Sequence, residues 1–242
     1  MKHMQKIGTR ILFPAVSATL IFTVVLFLIA RSTVSHLVER KLDRIDRSKV
    51  AEISVSPNRI ANEMLTQAAL YSRAKAVLAA YETAYKGNLT AADDPQMELA
   101  RQQFRDYFSS IEKGYRQTHD GNSLRLHFHV PPARSLLRLW KKGQNKSDDL
   151  SSFRSTVATI SSGSHKPITG IEIGRGGFAI RGIAPVVADN RQFLGSAESL
   201  STFDPLVKYS ISNDKEYIAV YMDTAFFPIA TRLQDTSKNP IM

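Results

Sequence analysis

Leu124-Arg125-Leu126-His127-Phe128-His129-Val130, closed by Pro131-Pro132, decides how the rest of this chain is read. Apolar Leu124, Leu126, Phe128 and Val130 alternate with basic Arg125, His127 and His129, which is the period of a strand whose two faces meet different surroundings. Side chains alternate across a strand, so one register places the apolar set on a packing face and the basic set on the opposite one. Upstream of this stretch the apolar period is helical, and downstream it is that of short strands and turns. Helices first and antiparallel hairpins afterwards is the order of an α+β domain rather than of repeated βαβ units.

Working upstream, a helix is expected from about Asp94 to Lys113, with Met97, Phe104, Tyr107, Phe108 and Ile111 on its apolar side. Before it, Met64, Gln67, Tyr71, Ala74, Leu78, Tyr81 and Tyr85 recur at alternating spacings of three and four, the seam of a long amphipathic helix that Gly87-Asn88 would stop. From Ser32 the pattern is already helical, with Val38, Leu42 and Ile45 among charges. Residues 31–87 therefore predict a long stalk helix whose seam could pair with a second copy. Two helices hinged at Pro57 are the other reading.

The first residues explain why such a stalk would exist. Ile11 to Ala30 is an uncharged run bracketed by Lys6 and Arg10 before it and Arg31 after it. At about 1.5 Å per residue it is roughly 30 Å long, the thickness of a bilayer's hydrocarbon core. A removable signal peptide has a shorter apolar stretch of about 7–15 residues and a small-x-small cleavage site, so a retained anchor fits better. Residues 1–10, with Lys2, Lys6 and Arg10 and no acid, then form a cytoplasmic tail, and the remainder lies outside the inner membrane. Basic and acidic residues follow the span as well, so orientation does not follow from charge alone. There is no cysteine, which removes disulfides, thiolate metal sites and covalent haem. The net charge of +10 is spread along the chain, so anionic lipid headgroups or anionic ligands are expected partners rather than nucleic acid.

Downstream, a short helix is expected from Asp148 to Ser161, capped by Ser147, with Leu150, Phe153, Val157 and Ile160 inward. A meander follows: Ile168 to Ile173, the turn Gly174-Arg175-Gly176-Gly177, Phe178 to Val187, the turn Asp189-Asn190, and Phe193 to Leu200. A last strand, Tyr217 to Met222, and a helical segment ending near Leu233 complete the reading.

Four segments then resemble a known family: Leu126 to Trp140, Asp148 to Arg154, Gly170 to Val186 and Phe193 to Val207. Together they look like the double-Cache, PAS-like sensory domains of methyl-accepting chemotaxis proteins, sensor kinases and diguanylate cyclases. The resemblance implies a membrane-anchored α+β sensor, dimeric through its long helix, with no enzymatic role and no cofactor, binding a small molecule outside the membrane. It assigns residues 88–235 to a membrane-distal Cache module and 236–242 to the start of a membrane-proximal part, after which no second span or output domain follows. It does not name the ligand, because one scaffold serves many.

The candidate ligand-binding residues are Arg134, Arg138, Trp140, His127, His129, Glu172, Arg181 and Glu198. A guanidinium is a planar fork of donors suited to a carboxylate, and an indole offers a flat wall with one donor. Arg134 and Arg138 would share a face if their segment were helical. Glu172, Arg181 and Glu198 belong to neighbouring strands and can form cross-strand pairs. His127 and His129 point the same way and could share a metal ion, with His119, Glu172 or His165 as further ligands. Without such ligands they are hydrogen-bonded groups of a pocket or surface. The loop at Gly174 joins two strands and lacks the Lys-Ser/Thr ending of a phosphate loop. Ser161, Ser162 and Ser196 lack a nucleophile-elbow setting. The alternatives to a sensor are an anchored metal-binding protein or metalloenzyme using His127 and His129, or a structural ectodomain that binds no small molecule.

Overall fold

The computed structural model describes residues 2–141, 146–211 and 213–235. They divide into two compact units, Met1–Glu52 and Ile53–Met242. The first helix, α1 (Lys2–Ser72), contributes to both. In the first unit it contains an 18-residue window of mean hydropathy 2.4, none of it buried, which is long and apolar enough to cross a membrane. Thr19 and Thr23 there donate to the carbonyls of Ala15 and Thr19 at 2.9 and 2.8 Å, so their hydroxyls need no water.

The second unit is built on a five-stranded sheet, every pairing antiparallel, in the order β2-β1-β5-β4-β3. Its strands are β1 (Leu126–Val130), β2 (Arg134–Arg138), β3 (Ile168–Gly174), β4 (Gly177–Val187) and β5 (Phe193–Ser201). The helices are the last part of α1, α2 (Lys75–Ala84), α3 (Pro95–Thr118), α4 (Ser155–Ser162) and α5 (Asp204–Ser210). This is an α+β arrangement of flanking helices and an antiparallel sheet, as the resemblance implies.

One face of the sheet carries the main core. Leu126, Phe128 and Val130 of β1, Val186 of β4 and Ala197 of β5 pack with Val77, Ala80 and Tyr81 of α2 and Met97, Phe104 and Phe108 of α3. Phe104 stacks on Phe128 at 4.3 Å between ring centroids, and Tyr81 meets Phe104 edge-on. The Tyr81 hydroxyl reaches the carbonyls of His129 and Ser196 at 2.9 and 3.0 Å, tying α2 to both central strands. Asp94 caps α3 by accepting from the amides of Gln96 and Met97. Nearby, Ile60, Ala61 and Met64 of α1 bury Ile180 of β4 and Leu206 of α5. Gly182 of β4 allows that approach, because a Cβ there would fall on the backbone of Met64 and Leu65.

The opposite face is covered as well. Ile183 of β4 packs with Ala133, Leu150, and Val157 and Ile160 of α4. The polar set of β1 is therefore buried, not solvated: His127 is 1% and His129 0% exposed.

Several local expectations give way. The helical seam breaks at Arg73–Ala74, where Ala74 is extended, and not at Pro57. Both sides of the break are buried, α1 on β4 and α2 on α3, so the apolar spacing runs through it unchanged. The segment holding Arg134 and Arg138 is a strand, so their spacing is not that of a helix face. Asp148 to Arg154 is not helical, because α4 begins at Ser155 and Asp149 bridges to Arg134 instead. Ser147 caps nothing; its hydroxyl binds Arg101 and Ala91. Tyr217 to Met222 is not a strand, and Tyr217 is 89% exposed with no sheet partner among the described residues. The expected start of a further module, 236–242, lies outside the described residues.

Candidate functional site

The site grows from the buried polar face of β1, β5 and β4. His127 pairs across to Glu198 of β5, which pairs in turn with Ile183 of β4. Arg181, two residues before Ile183, and Glu198, opposite it, therefore share the face that carries His127 and His129. Glu198 Oε1 accepts from Arg154 Nη2 at 2.5 Å and from Arg181 Nη1 at 2.8 Å. Arg154, at the N-cap position of α4, also donates from Nε to Glu172 Oε2 at 2.6 Å. Glu172 on β3 in turn accepts from the Thr156 amide, 3.0 Å, and from the hydroxyls of Ser155 and Thr156. It thereby serves as the side-chain acceptor for the first turn of α4 that no N-cap side chain provides.

Two arginines and two glutamates thus form a closed, charge-balanced set under α4. Burial works to raise the pKa of Glu198, but Arg154 and Arg181 outweigh it and hold the carboxyl well below its ordinary value. Burial likewise opposes ionisation of Glu172, and Arg154 again wins, lowering its pKa. The histidines move the other way in charge. Burial, helped by His129 and Arg138, pushes His127 well below its ordinary pKa. Burial takes His129 to about 3, against the pull of Glu198. Both imidazoles are neutral at neutral pH. His127 Nε2 lies 2.8 Å from Ser135 Oγ, and His129 Nδ1 lies 3.0 Å from Ser196 Oγ.

In front of this set opens a cavity of about 520 Å³. Arg125, Arg138, Lys141, Arg154, Arg175, Arg181 and Arg232 line it, with His127, Trp140 and Phe153, and none of the described lining residues is acidic. Arg138 makes a two-point pair with Asp148, at 2.8 and 3.1 Å, and Arg175 reaches the same carboxylate at 3.3 Å. Burial, with Arg232, Arg138 and Arg175 adding repulsion, lowers Lys141 to about 8. Basic side chains thus outnumber the carboxylates that pair with them around this cavity.

Of the residues proposed from sequence, Arg138, Trp140, His127 and Arg181 line the cavity, His129 and Glu198 are buried, and the partly buried Glu172 pairs with Arg154. Arg134 is not among the lining residues; its guanidinium binds the Ser147 carbonyl and lies 3.8 Å from Asp149. His119 and His165 are elsewhere, stacked on Tyr115 and Phe193. Sequence reading missed Arg154, Lys141, Arg175 and Arg232. For Arg154 a signal existed: two strand glutamates, Glu172 and Glu198, with one strand arginine between them leave a buried acid without a counter-charge.

No family model matches the chain, and no curated protein matches it. Among solved structures it is similar to the E. coli DcuS sensor domain, at 10% identity and a TM-score of 0.42, over 66% of this chain and 99% of that one. It is similar to the V. cholerae histidine kinase DctB sensor domain at 10% identity and a TM-score of 0.47, over 70% of this chain and 58% of that one. The periplasmic domain of Vibrio cholerae LuxQ aligns at 9% identity and a TM-score of 0.41, over 67% and 68%.

Proposed function

We propose that the chain is the extracytoplasmic, ligand-sensing part of a bacterial-type signal transduction receptor, and that it binds a small organic anion, most simply a carboxylate. The observation that supports this reading is the cavity walled by Arg125, Arg138, Lys141, Arg175 and Arg232 in front of a buried, already balanced arginine–glutamate set. Guanidinium forks suit carboxylates, and Trp140 and Phe153 supply flat apolar walls beside them. A formed cavity of this kind is not what a purely structural ectodomain needs.

In this proposal Ile11–Ala30 anchors the chain in the inner membrane, 1–10 remain cytoplasmic, and 88–235 form the sensor module. Of the stretch 31–87, the part that would make the homodimer contact is 31–55, where Val34, Val38, Leu42 and Ile45 are exposed; from Ile60 on its apolar seam packs within the protomer. Ligand capture would act on α1 through β4, because Ile180 and Gly182 are the strand positions on which α1 rests. A ligand moves that contact only if it binds one arrangement better than the other.

A thermal-shift screen of the full chain in detergent tests this, using mono- and dicarboxylates against amines and neutral amino-alcohols. A carboxylate at 100 times its dissociation constant stabilises by ~2.7 kcal/mol, which raises Tm by about 5–11 °C in a domain of this size. The shift is expected to vanish in Arg138→Gln. Stabilisation by amines instead, or by no anion at all, would overturn the anion reading.

A further inference from the structure

We infer that His127, His129 and Glu198 form a binding site for one divalent transition-metal ion of the zinc type. Three ligand atoms converge: Glu198 Oε2 lies 3.3 Å from His127 Nδ1 and 3.5 Å from His129 Nε2. All three atoms lie within 4.8 Å of one another, and the residues are buried. Both separations are long for a hydrogen bond to a carboxylate. A carboxylate paired with an imidazole N–H closes to about 2.7–2.9 Å. Among the described residues neither His129 Nε2 nor Glu198 Oε2 has a hydrogen-bond partner. Two buried polar atoms that face each other without bonding call for a third species between them.

The two separations from Glu198 Oε2 match those around an ion. With metal–ligand distances of about 2.0–2.1 Å, a tetrahedral centre holds its ligand atoms about 3.3 Å apart. The rings are already aimed. Ser135 holds the far nitrogen of His127 and Ser196 that of His129, which is how outer partners fix a ligating imidazole. Arg154 and Arg181 occupy only Oε1 of Glu198, leaving Oε2 for the ion. Two imidazoles and one carboxylate oxygen suit zinc, cobalt(II) or nickel(II) better than calcium or magnesium. Of the three residues, His127 alone also lines the cavity. The inference stands whether or not the cavity binds a carboxylate.

The test uses the untagged full chain in detergent, stripped with chelator and titrated with cobalt(II) and zinc(II). One cobalt per chain, with the intense visible absorption of a tetrahedral centre and displacement by zinc, is expected. Glu198→Gln and His129→Gln are expected to weaken binding at least 100-fold, while His119→Gln, a histidine stacked on Tyr115 away from the cluster, leaves it intact. Where the variants do not fold, X-ray absorption on the zinc-loaded wild type decides, with two imidazoles and one oxygen at about 2.0–2.1 Å expected. Failure of the wild type to bind cobalt or zinc overturns the site. So does binding unchanged in folded Glu198→Gln and His129→Gln, or an absorption spectrum without imidazole scattering.

Discussion

Replacing Gly182 by alanine tests how the sensor module holds its long helix. The added Cβ would fall on the amide and Cα of Leu65 and the carbonyl carbon of Met64, all backbone atoms of α1. Backbone cannot rotate away as a side-chain end can, so either β4 or the helix must give. Moving the helix opens the seam where Ile60, Ala61 and Met64 bury Ile180 and Leu206. It also stretches the 2.8 Å bond between Ser199 and Gln67. Overpacking alone costs about 1–3 kcal/mol, and each methylene returned to water adds about 0.8. A total of ~3 kcal/mol lowers Tm by about 6–12 °C in a domain of this size. Trp140 is the only tryptophan, so its emission follows the melting of this unit without interference from the apolar N-terminal helix. Gly170→Ala on the adjacent strand is the control: its Cβ would meet only Thr156 Cγ2, at an ordinary 3.8 Å. It is expected to melt within about 2 °C of wild type. Equal melting temperatures for the two variants would refute the close-approach argument.

Two further outcomes follow from the same geometry. Lys141 titrates at about 8, so it carries its charge below that pH and loses it above. Anion affinity is therefore complete on the acid side and falls, by about fivefold for a pair worth ~1 kcal/mol, as pH rises through 8; calorimetric titrations at pH 6.5 and 9.5 should lose that step in Lys141→Met, and a step that persists there would point to another group. Tyr81→Phe removes a buried hydroxyl shared by the carbonyls of His129 and Ser196 and should cost about 1–3 kcal/mol in urea unfolding without a change in slope. A variant as stable as wild type would mean that the two carbonyls do not depend on it.

The parts of the fold that were legible in sequence are those where one local period determines one outcome. The alternation of Leu126 to Val130 could only be a strand, and Gly174 to Gly177 could only turn one strand into the next, which they do with Gly174 opposite Gly177. β2 was not legible because Arg134-Ser135-Leu136-Leu137-Arg138 is too short for a period and its adjacent leucines suit either structure. Tyr217 to Met222 shows the reverse failure: the apolar residues are there, but a strand also needs a neighbour with free backbone groups, which no local pattern reports. For the site, β1 and β4 gave the right face for His127, His129 and Arg181. Whether that face met water or protein depended on Leu150, Val157 and Ile160, residues distant in sequence. The same holds for Arg154, whose role is set by two strands that follow it.

Arg154, Arg181, Glu172 and Glu198 also constrain how this protein can diverge. Arg154, Arg181 and Glu198 are buried and Glu172 is partly so, and their charges face one another. Losing one alone leaves an uncompensated buried charge at a cost of about 3–5 kcal/mol, a large share of a typical domain's stability. Losing an acid together with a base, for apolar residues of similar volume, is close to neutral. Sequence drift through this layer therefore proceeds by paired replacements. A homologue with a leucine at the position of Glu172 would be expected to carry its partner change at Arg154, with α4 then needing a new cap.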